Sequence, residues 1–134
     1  MKKLFISCPM KGRTEENIRK SMEKMHRIAE IVFDEKLEVL PSYIEQKPPQ
    51  GVNEAVWYLD ESIKWMKQAD YYIGIDYSDC FHGCTVENEI AMRYGVPKTL
   101  VRVHELMPDV REVEEAYWRH EDKKIAIHLE DGHA

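Results

Sequence analysis

The sequence predicts an α/β fold, because short apolar runs typical of strands alternate with longer segments of helical periodicity. Four strand-like runs and three helical periods follow one another within residues 1–103. Parallel strands connected in this way need right-handed crossovers, which cover both faces of the sheet with helices. We therefore expect a flavodoxin-like or Rossmann-like three-layer fold with a parallel sheet of four to five strands.

Capping residues, glycine and proline set the boundaries of these elements. Thr14 is a good N-cap, Gly95 closes a helix, and Pro97 cannot continue one. Apolar residues spaced three and four apart mark the first two helices. The predicted elements are, in chain order, a strand over 3–7, a helix from Thr14 through Val32, a strand over 37–40, a helix from Val52 that ends near Ala69–Asp70, a strand over 71–75, a helix over 85–94 and a strand over 99–103.

The last part of the chain carries weaker signals. Residues 108–119 can form a helix and residues 124–128 a short strand, whereas the residues from Glu130 onward have no regular pattern and are expected to be loose. We assign residues 1–103 to the α/β domain. Residues 104–134 are then an extension that packs on the same domain or completes it.

Composition limits the classes of ligand. The chain has 134 residues, enough for one domain, and a net charge of −6 with a pI near 5.5. An acidic protein lacks the bulk attraction needed for non-specific binding to nucleic acid or a membrane surface, so we expect a small diffusing ligand.

Three cysteines, an odd count, argue against a disulfide scaffold. With no signal segment and no run of about 20 apolar residues, we expect a cytoplasmic protein.

Two loops are the expected place for a site. In an open parallel sheet, ligands bind beyond the carboxyl ends of the strands, where the strand order reverses. The loops 7–13 and 76–83 follow the first and third predicted strands and hold small, polar and reactive residues. The Gly-x-Gly-x-x-Gly, P-loop and Gly-x-Ser-x-Gly patterns are missing, so we expect no dinucleotide cofactor, no P-loop nucleotidase and no acyl transfer of that type.

A metal site is not expected, although three potential ligands stand close together. Cys80, His82 and Cys84 are separated by single residues, and Cys8 ends a neighbouring predicted strand. Ligands only two residues apart in so short a loop do not match the usual zinc spacing. Cys8 and Cys84 are expected to be small fillers where backbone segments pass closely.

The segment Gly83–Glu87 places a carboxylate on the first turn of the third predicted helix. Gly83 lets the backbone approach a ligand, and the positive end of the helix is expected to lower the pKa of Glu87, which keeps a nucleophile ionised. The alternative is a surface acid that complements the helix dipole. Glu89 points about 200° around the helix and cannot share the site.

Three stretches of the sequence carry a family resemblance: Leu4–Gly12, Trp57–Asp70 and Gly83–Pro97. The most specific element is Gly-x-x-x-Glu followed ten residues later by Pro in the third stretch. Together they resemble the nucleoside 2-deoxyribosyltransferase-like superfamily, and more narrowly its short bacterial and phage branch. The resemblance covers about residues 1–103.

The resemblance implies cleavage of the N-glycosidic bond of a 2-deoxynucleoside or its 5′-monophosphate, with transfer of the sugar to another base or to water. Glu87 would be the nucleophile. The leaving base needs an acid, which characterised members supply as an Asp on the second helix, where this chain has Ser62. Glu61 is the expected substitute and Asp76 the next candidate, although both can be ordinary surface acids. Phe81, in place of a polar residue of the family, can stack on a base.

The first loop resembles the segment of the family that faces the sugar or the phosphate. Ser7, Lys11 and Arg13 can hold a 5′-phosphate by hydrogen bonds and charge. The alternative is that the two cations only offset Glu15 and Glu16. The residues expected to contact substrate in the two loops are Ser7, Cys8, Met10, Lys11, Gly12, Asp76, Phe81 and Gly83.

Two hypotheses from other classes stay open. A non-catalytic module could hold a nucleotide or a nucleotide-derived signal in the same crevice, and Ser62 favours it. A protein-interaction domain would use the aromatic side chains, which are more often core. Because the second helix carries Trp57, Tyr58 and Trp65 on more than one face, we expect a homodimer or larger homo-oligomer.

Overall fold

A computed structural model describes the backbone of residues 1–130 and the side chains of residues 1–121. Within that part of the chain, four strands and five helices follow one another. In chain order they are β1 (Lys2–Ile6), α1 (Glu15–Phe33), β2 (Leu37–Val39), α2 (Glu54–Met66), β3 (Tyr71–Ile75), α3 (His82–Arg93), β4 (Lys98–Val101), α4 (Val103–Leu106) and α5 (Val110–Glu130).

The four strands form one parallel sheet in the order β2-β1-β3-β4. Leu4 pairs with Tyr71 and Ile6 with Ile73, so β1 and β3 lie side by side at the centre. The chain runs outward from β1 to β2 and then returns past β1 to β3, which places the reversal of strand order between these two strands. The predicted α/β three-layer fold is confirmed, with four strands.

Alternating side chains of the central strands separate the core into two layers. On one face, Leu4, Ile6 and Ile73 pack in a cluster that also contains side chains of α1, α4 and α5. On the other face, Phe5 and Tyr72 stack with ring centroids 6.0 Å apart and pack against α2 and α3. Strands buried on both faces explain why the sequence shows continuous apolar runs.

The predicted cap of the first helix is confirmed. Thr14 has extended backbone angles, and its side-chain oxygen accepts a hydrogen bond of 3.1 Å from the amide of Asn17. The second helix begins at Glu54, two residues after the start of its apolar period, because Asn53 caps it by accepting a bond from the Val56 amide. In both cases a side chain satisfies an otherwise free amide of the first turn.

Several predicted boundaries and one predicted strand were wrong. Helix α2 ends at Met66 rather than near Ala69–Asp70, because the chain continues as a turn over residues 67–68. Helix α3 begins at His82 rather than at residue 85, because the amide of Thr85 already bonds to the carbonyl of Phe81 as part of the helix. Strand β4 ends at Val101, since α4 begins at Val103. The strand predicted over 124–128 is the continuation of α5, because five alternating residues are too few to separate a strand from a helix. Glu130, where the loose end was predicted to begin, is the last residue of α5, and the residues after it lie outside the described part of the chain.

The outer faces of α2 and α3 bear on the expected homo-oligomer. Val56 is 59% exposed on α2 and Met92 is 54% exposed on α3, and Tyr58 is also exposed. The homo-oligomer stays a prediction. None of the helices in the described part of the chain is long and apolar enough to cross a membrane.

Gly74 allows α3 to approach β3 closely. The Tyr72 hydroxyl donates to Asn88 Oδ1, and Asn88 Nδ2 donates to the Ile75 carbonyl at 2.9 Å. A Cβ atom on Gly74 would overlap Asn88 Oδ1 and lie 2.8 Å from ring carbon Cε1 of Tyr72. A glycine inside a strand commonly marks such a close approach. These bonds therefore fix the height of α3 above the sheet.

We expect Gly74→Ala to lower the free energy of unfolding by about 1–3 kcal/mol, because the added methyl group must displace a buried ring or break the Asn88 bonds. Urea denaturation followed by circular dichroism measures the change. Gly83→Ala is the matched control: no atom lies within 4 Å of a Cβ at that helical position, so stability should be unchanged or higher. Equal stability of the Gly74 variant and the wild type would contradict the expectation.

Candidate active site

A cavity of about 840 Å³ opens beyond the carboxyl ends of β1 and β3. This is the place predicted from the reversal of strand order. Its walls come from the loop after β1, the segment 42–44, one side of α2 as far as Ser62, and the start of α3. The lining side chains that matter for chemistry are Cys8, Met10, Lys11, Tyr43, Glu54, Tyr58, Ser62, Phe81, His82, Cys84 and Glu87.

Glu87 is the only buried carboxylic acid among the side chains described, residues 1–121, with 7% of its surface exposed. The hydroxyl of Ser7 donates to Glu87 Oε1 at 2.6 Å, and the side chain of Ser62 also interacts with the carboxyl group. Ser7 stands directly after β1, where its amide bonds to the Ile73 carbonyl at 2.8 Å. Three elements, β1, α2 and α3, thus meet at one carboxyl group.

Burial raises the pKa of Glu87 to about 7, although the hydrogen bonds from Ser7 and Ser62 act in the opposite direction. The expected lowering by the helix N-terminus was wrong. Because α3 begins at His82, Glu87 is its sixth residue and lies beyond the first turn, where the effect of the helix dipole fades. Glu89 lies on the exposed side of α3 and pairs with Arg93 at 2.8 Å.

The two acids predicted to protonate the leaving group are not part of the cavity wall. Glu61 pairs with Lys64 Nζ at 2.7 Å. Asp76 accepts hydrogen bonds from the amides of Tyr77 and Val103, at 2.8 and 3.1 Å, and so holds the start of α4 beside β3. Ser62, one residue along α2 from Glu61, is the side chain that reaches Glu87.

The first loop contributes Cys8, Met10 and Lys11 to the wall, and Lys11 is an exposed residue. Gly12 lies outside the wall in the left-handed region, with φ of 77°. Arg13 lines the cavity, but its side chain is only 1% exposed, and its guanidinium is bound to Asp109. Internal partners therefore occupy Arg13, which contradicts its expected role as a phosphate ligand.

The second loop and α2 supply aromatic rings. Phe81 is 5% exposed and forms part of the wall next to His82. Gly83 faces open space, since no atom lies within 4 Å of a Cβ built on it. Tyr43 and Tyr58 also line the cavity. Neither tyrosine was assigned to the site from the sequence: Tyr43 lies in the loop before α2, and Tyr58 lies within α2.

The three thiols are buried and unpaired. Burial raises the pKa of Cys8 to about 11 and raises that of Cys84 further. Thiols that stay protonated are weak nucleophiles, which fits the predicted role as small fillers. Among the residues with described side chains, no group of three His, Cys, Asp or Glu residues is arranged to hold a metal ion.

Comparison of this chain with known proteins finds no matching family model, no matching curated protein and no matching solved structure. The cavity and the sequence patterns described above are therefore the features that bear on function.

We expect the raised pKa of Glu87 to make stability depend on pH. Its folded-state pKa of about 7 lies above the ordinary 4.5, so the folded protein holds an extra proton between these values. The free energy of unfolding therefore falls as the pH rises through this window. Glu87→Gln removes this titration. Its free energy of unfolding should exceed that of the wild type by roughly 3 kcal/mol above pH 7, with little difference below pH 4.5.

Urea denaturation at a series of pH values between 4 and 8 measures the difference between the two proteins. Glu89→Gln is the control, because this exposed acid on the same helix should leave the pH dependence as it is in the wild type. Parallel curves for the wild type and Glu87→Gln across the whole range would show that Glu87 does not titrate as described.

Proposed function

We propose that the protein cleaves the N-glycosidic bond of a 2-deoxynucleoside or its 5′-monophosphate, passing the sugar to water or to another base. The observation that carries the proposal is the position of Glu87, a buried carboxyl group in the wall of a cavity at the carboxyl ends of β1 and β3. The resemblance of residues 1–103 to the nucleoside 2-deoxyribosyltransferase-like superfamily supports the same role for this residue.

In the proposed reaction, a carboxylate oxygen of Glu87 attacks C1′ of the sugar. The C–N bond breaks, its electron pair leaves with the base, and the base takes up a proton. The product is a glycosyl ester on Glu87, and water or a second base then attacks C1′ and releases the carboxylate. The transition state carries positive charge on the sugar, which the adjacent carboxylate stabilises.

The hydrogen bonds at Glu87 suit this chemistry. Ser7 and Ser62 both favour the ionised carboxyl group, against the effect of burial. A pKa of about 7 leaves the group ionised in about half of the molecules at neutral pH. Activity that depends on this carboxylate should therefore rise as the pH increases through neutrality.

Two side chains in the cavity wall can donate a proton to the leaving base. His82 begins the helix that carries Glu87, and Glu54 begins α2. Imidazole is the most frequent general acid in enzymes, and the ring of His82 is held in an edge contact with Tyr117, with centroids 6.1 Å apart. We propose His82 as the acid in place of Glu61 and Asp76.

The cavity also fits a mononucleotide in size and lining. Its volume of about 840 Å³ lies in the range of roughly 300–1,000 Å³ found for pockets that bind small ligands. The rings of Tyr43, Tyr58 and Phe81 offer stacking surfaces for a base. Lys11 supplies an exposed positive charge for a phosphate.

A non-catalytic binding module is the second candidate function. The observation that favours it is Ser62, since a hydroxyl at this position cannot serve as an acid comparable to a carboxyl group. Such a module would hold a nucleotide or nucleotide-derived signal between the same aromatic rings and Lys11, with Glu87 as a hydrogen-bonding group.

We expect the wild type to release free base from at least one 2-deoxynucleoside or its 5′-monophosphate, measured by chromatography. Glu87→Gln keeps the shape and the hydrogen bond from Ser7 but removes the nucleophile, so release should fall by about 10³-fold or more. Glu89→Gln, the exposed acid on the same helix, should keep full activity. Tight binding without base release by the wild type would support the module, and undiminished release by Glu87→Gln would overturn the proposed nucleophile.

We expect His82→Asn to slow base release by about 10²–10⁴-fold, because a general acid contributes that much. The loss should be much smaller for a nucleoside with a cationic base, which departs as a neutral molecule and needs no proton. Glu54→Gln is the matched variant for the other acid in the wall. The proton would come from another group if base release slowed only in Glu54→Gln. The same conclusion would follow if His82→Asn slowed base release equally for both kinds of substrate.

A further inference from the structure

The start of α5 lies against both loops that form the cavity. Arg13 Nε donates to Asp109 Oδ2 at 2.7 Å, and Arg13 Nη2 donates to Asp109 Oδ1 at 3.0 Å. Asp109 directly precedes α5. This is a two-bond ion pair, in which the planar guanidinium fixes direction as well as distance. The pair joins the loop after β1 to a part of the chain that is 96 residues away.

The remaining bonds of Arg13 stay within the protein. Its Nη1 donates to the Pro9 carbonyl at 2.9 Å, and its Nη2 donates to Ser21 Oγ at 2.7 Å. The Arg13 amide also bonds to the Met10 carbonyl at 3.1 Å. One side chain therefore ties the loop 8–13 to itself, to α1 and to Asp109, and it does so at 1% exposure.

Three further contacts follow along α5. A Cβ on Gly12 would lie 3.1 Å from Val113 Cγ1, so the loop backbone lies close to this side chain. Ser78 in the second loop donates to Glu114 Oε2 at 3.0 Å, and the ring of His82 contacts Tyr117. Positions 113, 114 and 117 share one face of a helix. That face supports the backbone of both loops from outside the cavity.

We propose that Asp109, through Arg13, is a positioning residue that fixes the loop 8–13 as the wall of the cavity and thereby sets the affinity for the cavity ligand. Asp109 lies outside residues 1–103, over which the family resemblance extends, whereas Arg13 lies within them. The kinetic test of this proposal rests on the proposed function, whereas the labelling test depends only on the cavity.

The ion pair should act on binding rather than on the chemical step. Met10 and Lys11 lie in the loop that the pair fixes, whereas Glu87 is held by Ser7 and Ser62. Ser7 itself is anchored to β3 through its amide. If the pair no longer fixes the loop, the side chains of the loop must be ordered when the ligand binds. This ordering costs free energy and weakens binding.

The first variant is Asp109→Asn, which keeps the shape of the side chain and removes its charge. We expect KM for the nucleoside substrate to rise on the order of tenfold, while kcat stays within about threefold of the wild type. A merely structural role would instead reduce the fraction of active enzyme and leave KM unchanged. Glu89→Gln, which breaks the exposed pair with Arg93, is the control for loss of one carboxylate.

A second variant separates positioning from stability. Replacing both partners, Arg13→Met with Asp109→Leu, removes the buried charge that a single substitution would leave unpaired, so folding should recover. The bonds to the Pro9 carbonyl and to Ser21 are still lost, and KM should stay high. A wild-type KM in this double variant, with stability restored, would overturn the proposal.

Labelling of Cys8 provides a readout that needs no turnover. This thiol lies in the loop at 6% exposure. Its modification by an aromatic disulfide reagent, located by mass spectrometry, should be about tenfold faster in both variants than in the wild type and in Glu89→Gln. Absence of base release with faster Cys8 labelling would reject the proposed function alone. Unchanged labelling in the folded variants would reject the positioning role, whatever the activity.

Discussion

The hydrogen bond from Ser7 to Glu87 is the contact on which the candidate site depends. A buried carboxyl group needs polar partners, and here they come from different layers of the fold: Ser7 at the end of β1 and Ser62 on α2. Burial destabilises the ionised form of the carboxyl group, and hydrogen bonding by the two hydroxyl groups partly offsets this effect. The balance leaves a group with a pKa of about 7 beside an open cavity.

The position of this carboxyl group is fixed by a short network on β3. Tyr72 interacts with Ser7 and donates to Asn88, and Asn88 bonds to the Ile75 carbonyl. Because Asn88 directly follows Glu87, the bonds that hold α3 against the sheet also hold the carboxylate. Gly74 provides the space for this approach. The central strand thus supports both the fold and the site.

Packing gives two cationic side chains of the same loop, Lys11 and Arg13, different roles. Arg13 is enclosed, and it binds Asp109 and Ser21, whereas Lys11 is exposed at the cavity. A guanidinium offers five donors in a rigid plane and can cross-link several acceptors, whereas an ammonium on a flexible stem remains a mobile point charge. The same loop therefore contains one structural cation and one that is available to a ligand.

The α/β class and the order of the first seven strands and helices could be predicted from the sequence, because periodicity and caps are local properties. Spacing and the family resemblance singled out Glu87 as the candidate nucleophile, a role that stays a prediction. The sequence did not predict the pKa of Glu87, the partners of Arg13 or the contact between Ser62 and Glu87. Nor did it place Glu61 and Asp76 away from the cavity. Each of these depends on which side chains from distant segments meet, and on how much water they exclude. Only the packing of β1, β3 and the surrounding helices decided that.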